Sequence, residues 1–222
     1  MADPRLSGGN GLLFYRWRPA ANPADPAVVL LHGRTGDESV MWIVADALPS
    51  MGLMIAPRGP FSVSEGGFSW VGPIAREKGT FEDLRSGVTA LETLLDRLEV
   101  ERGLDRDQMV LVGFSQGAAL AFAAAKAERL RPRGIVALAG FLPRGDPAHL
   151  RGIPIFWGHG TQDTLVPIGM ARSDVERLHE VDASVQFCEA DVGHRIGVDC
   201  MRGLNQWWLS HFSRRESIET GD

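Results

Sequence analysis

Ser115, Asp163 and His194 are a hydroxyl, a carboxylate and an imidazole that follow one another along the chain, each just beyond a short apolar run. A serine hydroxyl attacks a carbonyl efficiently only when a base takes its proton, and the base works best when an acid fixes its tautomer. Ser115 sits in Gly113-Phe114-Ser115-Gln116-Gly117, between the apolar "MVLVGF" (109–114) and the alanine-rich segment 116–130. G-x-S-x-G at a strand-to-helix join is a nucleophile elbow, a tight turn that strains the serine backbone and points its hydroxyl outward. A serine that merely capped the helix would need no glycine on both sides. Asp163 follows "IPIFWGH" (153–159) and His194 follows "SVQFCEA" (184–190). Both thus fall at carboxyl ends of apolar runs, where open α/β sheets build their sites.

Other residues compete for these roles. With a nucleophile elbow the chain order runs serine, acid, histidine, so His159, which precedes Asp163, is read as structural. Asp191, close to His194, is the alternative acid. His149, His179 and His211 fall in loop or helix contexts and read as surface residues, while His32 ends a run and braces the next loop. That loop is "LHGRTGDES" (31–39). Acyl transfer needs fixed donors for its oxyanion, commonly one N–H after the nucleophile and one from a loop after an earlier strand. The backbone N–H groups of Arg34 and Gln116 occupy those places, although an ordinary strand-to-helix turn would show the same H-G-x-x-G pattern.

The elements that must position these groups alternate in the α/β manner. The apolar runs 27–32, 52–57, 109–114, 134–140, 153–159 and 184–190 are mostly continuous, as strands covered on both faces are, and predict a mainly parallel sheet. Residues 12–19 mix aromatic and charged side chains and suit an antiparallel edge strand. Helices are expected over 38–48, 80–103 (capped by Thr80), 116–130, 168–180 and 199–212. One α/β domain over 1–222 without a large cap accounts for them, with 1–10 and 213–222 frayed. Segment 56–79, rich in Gly and Pro, is too long for an idle connection. Its Phe61, Phe68 and Trp70, with Leu165 and Val166, are expected to wall a shallow apolar substrate groove, unless the rings only cover the sheet edge.

The composition narrows the remaining classes. A formal charge of −5 and a pI near 5.7 leave no basic footprint for nucleic acid. No apolar run approaches a membrane span and the first residues lack a signal-peptide core, so the chain reads as cytoplasmic. Cys188 and Cys200 are then expected to be two reduced thiols, with neither disulfide nor metal spacing.

"LLHGRTGDE", "APRGP", "GGFSW", "LVGFSQGA", "HGTQDTLVP" and "GHRI", in this order, resemble the phospholipase/carboxylesterase family of α/β-hydrolases, which includes acyl-protein thioesterases and bacterial carboxylesterases. The resemblance covers roughly residues 11–212. It implies a small serine hydrolase acting on carboxylic esters, lysophospholipids or acyl thioesters without cofactor or metal, through Ser115, Asp163 and His194, with a homodimer open as an assembly. One departure is local. Where many relatives have a second glycine in the oxyanion loop, this chain has Thr35 beside Arg34, which leaves a cation near the mouth. A dienelactone-hydrolase-like or other small serine esterase is the alternative enzyme. A metal hydrolase using His159, Asp163 and His194 lacks ligand spacing, and a silent binding protein on the same fold would not need all the catalytic residue types.

Overall fold

The apolar runs become strands because their residues alternate between two packed faces. A computed structural model of the chain describes residues 4–9, 11–49, 52–73, 79–127 and 130–213. In chain order the elements are β1 (Arg5–Gly9), β2 (Leu12–Arg18), β3 (Ala27–Leu31), α1 (Trp42–Ala45), β4 (Met54–Pro57), β5 (Phe61–Ser62), β6 (Phe68–Ser69), α2 (Arg85–Arg102), β7 (Met109–Phe114), α3 (Gln116–Ala124), β8 (Gly134–Leu138), β9 (Pro154–Gly160), α4 (Ile168–His179), β10 (Ser184–Ala190) and α5 (Val198–Phe212). An eight-stranded sheet has the order β1-β2-β4-β3-β7-β8-β9-β10, with β5 and β6 paired separately. From β4 to β10 the neighbours are parallel, whereas β1, β2 and β4 pair antiparallel.

Val29, Leu31, Leu111 and Ile135 pack on one face against Leu91 and Leu95 of α2, Leu120 and Phe122 of α3 and Leu178 of α4. Val28, Leu30, Val110 and Val112 pack on the other against Trp42 of α1 and Leu204 and Trp208 of α5. Burial on both faces explains why these runs lack a polar alternation. The parallel register sets Leu31 beside Gly113, Phe114 beside Leu138, Leu138 beside Gly158 and Gly160 beside Ala190. The loops after β3, β7, β9 and β10 therefore leave from one edge, which is how residues far apart in sequence meet. Among the described residues no helix is long and apolar enough to cross a membrane.

Four local expectations change. Residues 5–9, expected to be frayed, form β1 and take the edge position assigned to 12–19; the tail beyond 213 lies outside the described residues. The helix expected from Thr80 starts at Arg85. Thr80 and Asp83 close a turn ahead of it, with Thr80 N–H donating to Asp83 Oδ2 at 2.9 Å and Asp83 N–H to Thr80 Oγ1 at 3.2 Å. Two expected helices are shorter than read, that over 116–130 ending at Ala124 and that over 38–48 reduced to Trp42–Ala45.

The fourth change is chemical. Cys188 and Cys200 are not free thiols but a disulfide between β10 and α5. Their separation of 12 residues matches no framework pattern, and they meet only because α5 returns along the sheet after β10. The pairing also removes the free thiols that the cytoplasmic reading led one to expect. Because the bridge encloses the His194 loop, reduction, or joint replacement by Cys188→Ser and Cys200→Ser, is expected to cost roughly 3 kcal/mol of unfolding free energy from lost loop closure. Denaturant titration with and without a dithiol reductant measures this, and an unchanged midpoint would mean that the bridge contributes no stability.

Candidate active site

At the elbow the chain turns more tightly than a side chain on either flank would allow. A Cβ on Gly113 would lie 2.3 Å from the Gly117 carbonyl carbon, and one on Gly117 would lie 2.0 Å from Leu31 O. Between them Ser115 has φ 52° and ψ −116°, a conformation that costs a non-glycine residue on the order of 1–3 kcal/mol. Ser115 N–H is anchored to Leu138 O at 2.9 Å, and the Ser115 carbonyl accepts the N–H groups of Ala118 and Ala119. The hydroxyl has no cap bond to the helix, so the side chain does not serve as an N-cap.

Asp163 is buried, and its carboxylate is fully engaged. Oδ1 accepts the N–H groups of Leu165 (2.9 Å) and Val166 (3.0 Å), while Oδ2 lies 2.7 Å from His194 Nδ1. Burial pushes this carboxyl up, but the bonds from Val166, His194 and Leu165 outweigh it and hold the group below the ordinary carboxylate range. An ionised Oδ2 makes Nδ1 of His194 the donor and leaves Nε2 for other work. Behind the carboxylate, the Trp157 indole donates to His159 Nδ1 at 3.3 Å. An indole N–H only donates, so His159 carries its proton on Nε2, which donates to Val166 O at 2.8 Å and lies 3.5 Å from Asp163 Oδ2. His159 therefore supports the acid loop. Asp191, the alternative acid, instead accepts from Gln162 Nε2 at 2.6 Å.

The loop after β3 is held as firmly. His32 is buried, with Nδ1 2.7 Å from Gly33 O and Nε2 accepting the Gly59 N–H at 2.8 Å. Burial, against a smaller upward pull from Gly33 O, keeps its ring below the usual imidazole value and neutral. Thr35 adopts φ 70°, a left-handed conformation that is rare for a β-branched residue. Its N–H donates to Phe68 O at 2.9 Å, and Phe68 N–H returns to Gly36 O at 2.9 Å, so the β5–β6 hairpin pairs with this loop. Gly67 permits the approach, since a Cβ there would lie 1.9 Å from Thr35 O. Among the described residues neither the Arg34 nor the Gln116 N–H has a hydrogen-bond partner. Both residues line one cavity with Ser115 and His194.

That cavity, about 710 Å³ in volume, is also lined by Phe61, Val71, Phe141, Leu165 and Val166. Two expected substrate contacts are absent from its wall. Trp70 is fully buried, and its indole donates to His32 O at 2.8 Å, so it supports the loop after β3 from behind. Phe68 stacks under the Arg58 guanidinium, 4.6 Å from ring centroid to Cζ. Ser69, between them, is the residue that lines the cavity.

Other supporting residues were not recognised from sequence. Gln116 Oε1 accepts the Trp70 N–H at 2.9 Å and its amide donates to Ser69 Oγ at 3.1 Å, which ties the elbow to the hairpin. The polar residue inside G-F-S-Q-G was the available signal. Arg58 grips the buried Glu38 through two bonds of 2.6 and 2.7 Å, and no local pattern marks that pair.

A mainly parallel sheet with an elbow serine and an acid–histidine pair at its carboxyl edge defines the α/β-hydrolase class. Residues 18–210 match the family model described as Phospholipase/Carboxylesterase, and the chain belongs to that family. Acyl-protein thioesterase 1 of Saccharomyces cerevisiae is 45% identical over 78 residues, 32% of this chain and 34% of the yeast protein. Across the acyl-protein thioesterases matched, the chain spans about a third to a half of their length. A probable inactive carboxylesterase of Oryza sativa subsp. japonica is 26% identical over 88% of this chain and 89% of its own. The carboxylesterase of Bacillus cereus superposes with a TM-score of 0.81 at 23% identity, covering 91% of this chain and 96% of that one, a likeness of fold.

Proposed function

We propose that the chain is a serine hydrolase, with one catalytic domain, that cleaves carboxylic esters or acyl thioesters through an acyl-enzyme on Ser115. The observation that carries this reading is the 2.7 Å bond from His194 to the buried Asp163, with His194 and the strained Ser115 on one cavity. His194 Nε2 takes the Ser115 proton as Oγ attacks the substrate carbonyl. The Arg34 and Gln116 N–H groups receive the oxyanion, and the protonated histidine then gives its proton to the departing alcohol or thiol. Water, activated by the same histidine, releases the acid. Donors fixed before the charge appears cost no reorganisation at the moment of reaction. The apolar side chains Phe61, Val71 and Phe141 offer an acyl group burial from water.

The rice relative named as probably inactive brings a silent binding protein into view. Here, however, serine, acid and histidine are all present, and the two N–H donors have no partner among the described residues. A panel of p-nitrophenyl esters of rising chain length, with a lysophospholipid and an acyl thioester beside it, tests the proposal. Short and medium acyl esters are expected to be hydrolysed and a fluorophosphonate to label Ser115. Absence of both turnover and labelling would overturn it.

A further inference from the structure

Arg34 brings more than a backbone donor to the site. Its N–H is assigned above to the oxyanion, and the residue lines the same cavity as Glu65, the partner of its side chain, so the guanidinium stands within one side-chain length of the scissile carbonyl. Among the described residues its hydrogen-bond partner is Glu65, on the turn between β5 and β6, through a single contact of 2.7 Å from Nη2 to Oε1. The bonds from Arg34 and then Ser64 hold the Glu65 carboxyl down to about 2, so the pair is fully ionic at neutral pH.

A guanidinium carries five N–H donors in a planar fork, and a carboxylate can engage two of them side by side. Glu65 uses one donor at a single point. Both partners are about half exposed, 51% and 53%, and exposed pairs of this kind hold only weakly. The fork is thus oriented by Glu65 without being consumed by it. The other acidic side chain of the lining, Asp83, is committed to Thr80. Apart from His194, the remaining described lining is apolar, hydroxyl, amide or glycine. In such a wall a fixed cation beside the reacting carbonyl discriminates between neutral and anionic substrates.

We propose that Arg34 is a specificity-determining residue that receives a carboxylate carried a few bonds from the scissile carbonyl, as in the half-esters of short dicarboxylic acids, with Glu65 as the internal competitor. The assignment rests on the hydrolase reading above. Its test compares kcat/KM for monoethyl glutarate and ethyl pentanoate, which differ by a carboxylate in place of a methyl group. Wild type is expected to cleave the anionic ester at least as well as the neutral one. Taking the anionic-to-neutral ratio cancels any effect on the oxyanion hole that both substrates share. Arg34→Gln is expected to lower the ratio about 10- to 100-fold, the range of a hydrogen bond to a charged group, and Glu65→Gln to raise it. Equal losses on both esters in Arg34→Gln would mean that the guanidinium only braces the loop, and the assignment falls. If wild type cleaves neither ester and Ser115 resists a fluorophosphonate, the hydrolase reading itself fails and takes the assignment with it.

Discussion

Ser115→Ala is expected to lower hydrolysis by roughly a million-fold, the scale of loss for a triad serine, and to abolish covalent labelling while the unfolding midpoint stays in place. The change deletes one hydroxyl that makes no cap bond and faces the cavity, so it leaves no hole in the core. Alanine retains a Cβ, and the backbone strain at φ 52° therefore persists in the variant. Loss of activity would be loss of the nucleophile and not of the fold. A variant that keeps more than about a hundredth of the wild-type rate, against that million-fold reference, would remove Ser115 from the nucleophile's role. Denaturant melts on the same preparation separate this outcome from misfolding.

Most of the candidate site was legible because it lies where periodicity breaks. Apolar runs ending at Phe114 and His159 announce buried parallel strands, the run ending at Ala190 becomes a half-exposed edge strand, and polar residues just past such runs have little to do in a core. What escaped was set by contacts between loops. The sequence "GGFSW" invites Phe68 and Trp70 into a substrate wall, yet the two-residue strand β6 turns Trp70 under His32 and Phe68 under Arg58. Gln116 was valued only for its N–H, whereas its side chain joins the elbow to Ser69 and Trp70. In the sequence Thr35 marks only a missing glycine in the loop after β3. Its left-handed φ of 70° is a cost that the bonds to Phe68 and the close approach of Gly67 sustain, and such compensation lies beyond any local pattern. The disulfide was missed for the same reason, since Cys188 and Cys200 become neighbours only when α5 packs back on β10.

Asp163→Asn is expected to cost roughly ten-thousand-fold in kcat, as reported for a triad acid elsewhere, and the hydrogen bonds give the reason. Oδ1 accepts two backbone N–H groups, from Leu165 and Val166, so an asparagine must place its carbonyl oxygen there; its NH2 would otherwise face two donors. The amide nitrogen then points at His194 Nδ1, now 2.7 Å from Oδ2, and donates to it. His194 must move its proton to Nε2, the atom that should be free to take the proton of Ser115. Stability carries a second signature. Because the Asp163 carboxyl is held below its unfolded value of 3.8, it contributes stability that is present above that pH and is lost as pH falls through the lower folded value. The stability curve of Asp163→Asn should therefore be flatter at its acid end. Asp191→Asn, which touches an exposed contact to Gln162, is expected to leave kcat within a few-fold. Parallel steady-state kinetics on the two variants decide the matter, and the opposite ranking would transfer the acid's role to Asp191.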